Sequence, residues 1–182
     1  ASLMLVGWAG VSNAENWSGS VGNKTYSSNT TVNVTGNTTL TGAVKVTGGT
    51  LTINASGANR TISRGSSNTN ALFTISNGAR LVINGGTYKI TIDGISKANC
   101  GSAIVVNVGG TATLTDVTIQ NNFKKKANPR PTSSDHSEGG AIFSRGTLTC
   151  TNCNFINNRA DFGGAIAVYN KGNATITGGN IN

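Results

Sequence analysis

The feature that most constrains the fold is a tetrapeptide that occurs twice near the C-terminal end of the sequence. Gly139-Gly140-Ala141-Ile142 returns as Gly163-Gly164-Ala165-Ile166, and looser copies stand at 101–104 and 69–72. Each copy precedes, at a similar distance, a second short segment in which apolar and polar residues alternate. Two short strands joined by a turn and repeated along a chain are typical of a solenoid, whose units bury their apolar faces only against their neighbours.

This repeat predicts an all-β fold, a right-handed parallel β-helix of about five to six rungs that occupies residues 15–182. Equivalent residues of successive rungs then stack about 4.8 Å apart. We expect two internal rows of side chains. One row is Tyr88, Ile119, Phe155 and Ile181, and the other is Leu72, Ile104, Ile142 and Ile166.

Folding alone accounts for the composition of the repeat. The glycine pair fits a tight corner, where a positive φ or the close approach of the next rung excludes a Cβ atom. The Ala and Ile that follow enter the core. Asn tolerates turn conformations, and stacked amides hydrogen-bond from rung to rung, so Asn122 and Asn158 are expected to form such a ladder.

Together with Phe155-Ile156-Asn157-Asn158, the tetrapeptide resembles the repeat of the polymorphic membrane protein family of chlamydiae, which also occurs in surface proteins of other bacteria. Residues 139–142, 155–158 and 163–166 match well, whereas 101–104 and 119–122 match loosely. The resemblance implies a β-helical passenger domain, secreted or displayed on a bacterial cell surface as part of a longer protein. It also implies an adhesin that binds a host-cell surface.

The charge balance points to an anionic partner. Charged residues make up only 11% of the chain, yet the net charge is +8, which favours acidic glycans. Nucleic acid is disfavoured, because the sequence lacks a recognition motif and basic segments interleaved with aromatic residues.

Residues 1–14 admit two interpretations. The apolar run that ends at Ala9, followed by Ser12-Asn13-Ala14, is similar to the back half of a secretory leader with its cleavage site. It equally fits an N-terminal cap over the first rung. Either one agrees with an exported protein, and no apolar run in the sequence is long enough to span a membrane.

A carbohydrate-active β-helix, either a polysaccharide lyase or a glycoside hydrolase acting on an acidic glycan, is the alternative function. Glycoside hydrolysis needs two carboxyl groups near each other. The chain has only six acids, and Asp116 aligns with Gly85, Asn152 and Gly178 in a turn column that offers no second acid. The cluster Asp135-His136-Ser137-Glu138 is explained equally by a polar surface insertion. We therefore predict no catalytic residue, no metal site and no cofactor.

The three cysteines leave several states open. Cys150 and Cys153 could form a disulfide bond with each other, or could bind zinc together with Cys100 and His136. They align, however, with Leu114 and Val117, which are expected core positions. This favours buried thiols, since Cys commonly serves as a small apolar residue.

The segment 123–138 is an insertion, because the distance from Gly101 to Gly139 exceeds that from Gly139 to Gly163. It holds both prolines, which a central strand excludes, and loops on a rigid scaffold often carry function. We predict that it binds an acidic partner, with His136 tuning the interaction by pH. The basic residues that supply the charge are Lys124, Lys125, Lys126 and Arg130.

Overall fold

The computed structural model describes residues 13–124 and 138–182, and within them the regular structure is all β-strand, with no helix. None of the described residues therefore belongs to a helix long and apolar enough to cross a membrane. The strands are β1 (Asn13–Val21), β2 (Lys24–Tyr26), β3 (Thr30–Leu40), β4 (Val44–Val46), β5 (Thr50–Ala55), β6 (Arg60–Arg64), β7 (Phe73–Ile75), β8 (Arg80–Asn84), β9 (Ile90–Asp93), β10 (Ile104–Val106), β11 (Thr111–Thr115), β12 (Val117–Gln120), β13 (Ile142–Ser144), β14 (Thr147–Thr151), β15 (Asn154–Ile156), β16 (Ile166–Val168), β17 (Asn173–Thr177) and β18 (Asn180–Ile181).

The strands pair in parallel, and from β4 onward each pairs with the strand three places later in the chain. A six-stranded sheet has the order β16-β13-β10-β7-β4-β2. A twelve-stranded sheet has the order β17-β14-β11-β8-β5-β3-β6-β9-β12-β15-β18, with β1 paired to β3. The larger sheet divides into two branches at β3, because Thr30–Val34 pairs with β5 while Thr38–Leu40 pairs with β6.

Three walls follow from this pairing. The first wall consists of β5, β8, β11, β14 and β17, and the second of β6, β9, β12, β15 and β18. The third wall is the six-stranded sheet. Parallel strands stacked in three walls, with the chain passing from wall to wall and returning one level along, are compatible with a parallel β-helix.

Inward residues stack in register along each wall. In the second wall Ile62, Ile92, Ile119 and Phe155 are neighbours in successive strands, and all four are fully buried. Burying such a side chain stabilises the fold by about 1.5–3 kcal/mol relative to leaving it exposed. Ile181 ends this row, but it is 61% exposed, since no described strand covers β18.

The sequence assigned two residues wrongly to the internal rows. Ile92, not Tyr88, pairs with Ile119. Phe73, not Leu72, pairs with Ile104. The turn between β8 and β9 spans residues 85–89, whereas Asp116 alone separates β11 from β12. The sequence alignment assumed the same turn length in both rungs, and it therefore placed Tyr88 in the internal row. Tyr88 lies in the turn and is 38% exposed.

The remaining alignment is confirmed. Ile104, Ile142 and Ile166 are register partners in the third wall, and Leu114 faces Cys150 in the first. The N-terminal segment is more regular than its sequence indicates, because β1 pairs with β3 along most of its length and Trp17 is 1% exposed within the core. Residues 1–12 of the proposed leader or cap lie outside the described residues.

Candidate functional site

The first copy of the repeat forms a corner that only glycine fits. Gly139 has a φ of +64°, in the left-handed region that favours glycine. A Cβ atom on Gly140 would overlap the carbonyl oxygen of Gly164 in the next copy. Ala141 and Ile142 are both fully buried. This copy of the tetrapeptide is therefore a folding element, and its side chains are not presented to a partner.

The second copy and the Phe-x-x-Asn motif follow the same logic. Gly163 has a φ of +59°, while Ala165 and Ile166 are half-buried against the core. Phe155 is fully buried. The Asn158 Oδ1 atom accepts hydrogen bonds from the backbone N–H and the Nδ2 atom of Asn122, at 3.2 and 3.1 Å. The expected Asn ladder is thus present, inside the corner.

The inserted segment starts and ends beside an exposed part of the third wall. The Lys124 Nζ atom donates a hydrogen bond to the carbonyl oxygen of Glu138, with an N···O distance of 2.6 Å. The Lys124 side chain is half-buried. The backbone of Lys124 pairs with that of Cys100 in an isolated parallel β-bridge. The other predicted binding residues, Lys125, Lys126, Arg130 and His136, lie outside the described residues.

Phe143 is the aromatic centre of this region. It points outward from β13, between Val105 and Ala167 of the adjacent strands, and is half-buried. Two cations lie over its ring, with Lys124 Nζ at 4.9 Å and Arg145 Cζ at 5.5 Å from the centroid. Such cation–π contacts hold cationic groups against the ring while leaving their outer sides to solvent.

Lys124 also lines a cleft of about 440 Å³. Phe123 and Arg159 line the cleft together with Lys124. The backbones of Phe123 and Arg159 pair in an isolated parallel β-bridge. Asp161 lies at the same cleft. The cleft and the Phe143 ring thus share Lys124, and we call Phe123, Lys124, Phe143, Arg145 and Arg159 the basic–aromatic patch.

The electrostatics of Lys124 reflect its position. Burial lowers the pKa of its ammonium group, and the nearby charge of Glu138 opposes this by raising it, with a net lowering. Arg145 and Arg159 are both exposed to solvent. The patch therefore presents three basic side chains beside two aromatic rings, which suits an anionic ligand with an apolar face.

Sequence reasoning placed Lys124 in this site and missed the other members. The sequence carried a signal for Phe143 and Arg145, because the inward residues Ile142 and Ser144 alternate with them along the segment 142–145. Nothing local marks Phe123 or Arg159, because they meet only through the pairing of successive rungs.

Two of the described acidic residues, Asp93 and Asp116, have partners in separate places. Asp93 accepts hydrogen bonds from Gln120 Nε2 at 2.7 Å and Asn121 Nδ2 at 3.2 Å. Asp116 has a φ of +56° in the expected turn column and pairs with Lys89 at 2.9 Å. Within residues 13–124 and 138–182, no three His, Cys, Asp or Glu side chains are grouped so as to hold a metal ion.

The cysteines are free thiols in the core, where Cys150 is 0% and Cys153 1% exposed. Their mutual hydrogen bond, with burial adding to it, raises the pKa of Cys150. The same hydrogen bond lowers the pKa of Cys153 to about 7, although burial opposes this. Cys100 is also buried, and its Sγ atom contacts the carbonyl oxygen of Ala98 at 3.5 Å.

No family model, curated protein or solved structure matches the chain. The candidate site is therefore indicated by the geometry of the described residues. Among them, the basic–aromatic patch combines exposed charge, aromatic surface and a cleft.

Proposed function

We propose that the chain is a right-handed parallel β-helix of six rungs, exported to a bacterial surface as in the polymorphic membrane protein family. Six strands in the third wall support the rung count. Right-handedness is supported by the strong preference for that hand when a chain returns to the same parallel sheet. The Gly-Gly-Ala-Ile corners support the family assignment, because two consecutive copies occupy equivalent positions one rung apart.

The proposed function is adhesion through non-catalytic binding of an acidic glycan at the basic–aromatic patch. The observation that carries it is the convergence of Lys124 and Arg145 on the ring of Phe143, with Arg159 in the adjoining cleft. Arginine recognises carboxylate and sulfate groups through paired N–H donors. A flat aromatic ring offers the apolar C–H face of a sugar a complementary surface.

The test compares two double variants of equal charge. Arg145→Ser with Arg159→Ser removes two exposed cations from the patch, and Lys45→Ser with Arg80→Ser removes two exposed cations at β4 and β8. Binding to immobilised sulfated and uronate-containing polysaccharides is measured across a salt series. We expect the patch variant to lose most of its affinity and to show a flatter salt dependence, while the control stays close to the wild type.

Equal weakening by both double variants would reduce the effect to net charge and refute the site. Unchanged binding by the patch variant would move the function to residues 125–137 or to another face. A reducing-sugar release assay on the same polysaccharides separates binding from cleavage, and release of sugar would favour the enzymatic alternative.

A further inference from the structure

The corner that follows the third wall continues the surface of the basic–aromatic patch by one rung. Arg145 directly follows β13, and Tyr169 directly follows β16. The Tyr169 backbone N–H donates a hydrogen bond to the carbonyl oxygen of Ser144, the residue before Arg145, with an N···O distance of 2.9 Å. Since β13 and β16 pair in register, Tyr169 occupies the position of Arg145 one rung along, a step of about 4.8 Å.

The turn that carries Tyr169 has a defined backbone conformation. Gly172 N donates a hydrogen bond to Tyr169 O at 3.2 Å, and Asn170 inside the turn has a φ of +58°, which Asn tolerates. A Cβ atom on Gly172 would lie 2.9 Å from the carbonyl oxygen of Ser144, so the turn packs closely against the preceding rung. Lys171, in the same turn, is exposed. A fixed backbone that presents Tyr169 and Lys171 to solvent reduces the entropy lost when a ligand binds.

The rings of Phe143 and Tyr169 differ in what covers them. Both cation–π contacts within residues 13–124 and 138–182 are made to Phe143, by Lys124 and Arg145, and Phe143 is half-buried. Tyr169 is 56% exposed. A sugar stacks on a ring by displacing water from an open, apolar face. Tyr169 therefore offers a face for stacking, whereas Phe143 holds the two cations.

The neighbouring charges distinguish Tyr169 from other exposed aromatic residues. Tyr88 is 38% exposed, but it lies in the turn between the first and second walls. Phe162 is 54% exposed, but it directly follows the acidic Asp161, which would repel an anion. Tyr169 has the guanidinium of Arg145 one rung away and a lysine two places later in its own turn. Its ring is thus placed among positive charges.

We propose that Tyr169 stacks on a pyranose ring of the bound glycan, while an acidic group of the same or the adjoining sugar pairs with Arg145. This inference rests on the proposed function and narrows its ligand. Charge alone would admit any polyanion, but the open ring of Tyr169 rewards a cyclic sugar with an apolar C–H face. Inorganic polyphosphate has no such face and gains nothing from the ring. The site therefore selects acidic polysaccharides from among polyanions.

The test compares Tyr169→Ala with Tyr88→Ala, because Tyr88 is an exposed tyrosine on another corner. Binding of the full chain to polygalacturonate, dextran sulfate and inorganic polyphosphate is measured across a salt series. We expect Tyr169→Ala to weaken binding to both polysaccharides about tenfold, a loss of the size that one aromatic contact makes. The salt dependence should stay unchanged, because no charge is removed. Polyphosphate binding should be the same in both variants and the wild type.

Two further variants separate the flat ring from apolar bulk. Tyr169→Phe keeps the ring and should bind like the wild type, whereas Tyr169→Leu keeps the bulk alone and should bind as weakly as Tyr169→Ala. Circular dichroism establishes that each variant is folded. Wild-type affinity of Tyr169→Ala and Tyr169→Leu for the polysaccharides, or an equal loss of polyphosphate binding, would overturn the inference.

The double variant Arg145→Ser, Arg159→Ser distinguishes this inference from the proposed function. If the double variant loses affinity for the polysaccharides while Tyr169→Ala keeps it, the patch binds glycan without stacking, and only the inference fails. A wild type that binds neither polysaccharide would overturn the proposed function, and the inference with it.

Discussion

Lys124 Nζ and the carbonyl oxygen of Glu138 lie 2.6 Å apart, so a hydrogen bond joins the second residue of the inserted segment to its last. The same ammonium group lies 4.9 Å from the centroid of the Phe143 ring. Lys124 therefore links the insertion to the third wall, and it contributes to structure as well as to the charge of the patch.

Replacing Lys124 by Met should lower the free energy of unfolding by about 1 kcal/mol, the typical net contribution of a hydrogen bond. Met preserves the apolar stem over Phe143, so that the loss reports on the ammonium group. Urea denaturation measures the change, and Lys45→Met, at an exposed position, is the control. Equal stability of Lys124→Met and the wild type would show that the contact to Glu138 contributes nothing.

Gly140→Ala should destabilise the fold by about 3 kcal/mol or more, because its Cβ atom would overlap the backbone of the next rung and force it to move. Gly164→Ala is the matched variant in the second copy, where the nearest atom to an added Cβ is Asn158 O at 3.2 Å. We expect its cost to be clearly smaller. Thermal unfolding followed by circular dichroism compares the two, and a reversed order would contradict the close approach at Gly140.

Ile92→Ala should lower the free energy of unfolding by about 2–5 kcal/mol, as expected for a buried Ile truncated to Ala. Tyr88→Ala should change it by less than about 1 kcal/mol, since a residue in an exposed turn has little packing to lose. Denaturant titration of both variants checks the corrected register. A large loss at Tyr88 with none at Ile92 would restore the row expected from the sequence.

Glu15 should make the stability of the N-terminal rungs dependent on pH. Burial raises the pKa of its carboxyl group, but hydrogen bonds from Lys24 and Tyr26 and the charge of Lys24 lower it, and the net result lies below the ordinary value of 4.5. A lowered folded-state pKa means that the unfolded chain binds the extra proton first. The stabilisation is therefore complete above pH 4.5 and is lost as the pH falls through the folded-state value.

Glu15→Gln should accordingly lower the melting temperature at pH 7 and converge with the wild type in strong acid. Tyr26→Phe, which removes one donor at 2.7 Å, should show a smaller loss with the same pH dependence. A Glu15→Gln effect that is equal at pH 7 and in acid would assign the residue a packing role instead.

The sequence by itself determined the repeating architecture and most of the registers. Gly139 and Gly163, with Ile142 and Ile166 after them, mark equivalent corners, because a stacked solenoid imposes the same local geometry on every rung. Burial of Cys150 followed from its alignment with Leu114. Local pattern suffices here, since each rung contacts only its neighbours.

Only the tertiary structure decided which side chains meet across rungs. Turn length varies between rungs, and this placed Ile92 rather than Tyr88 beside Ile119. The basic–aromatic patch likewise depends on stacking, which brings Arg159 beside Phe123 although they are distant in sequence.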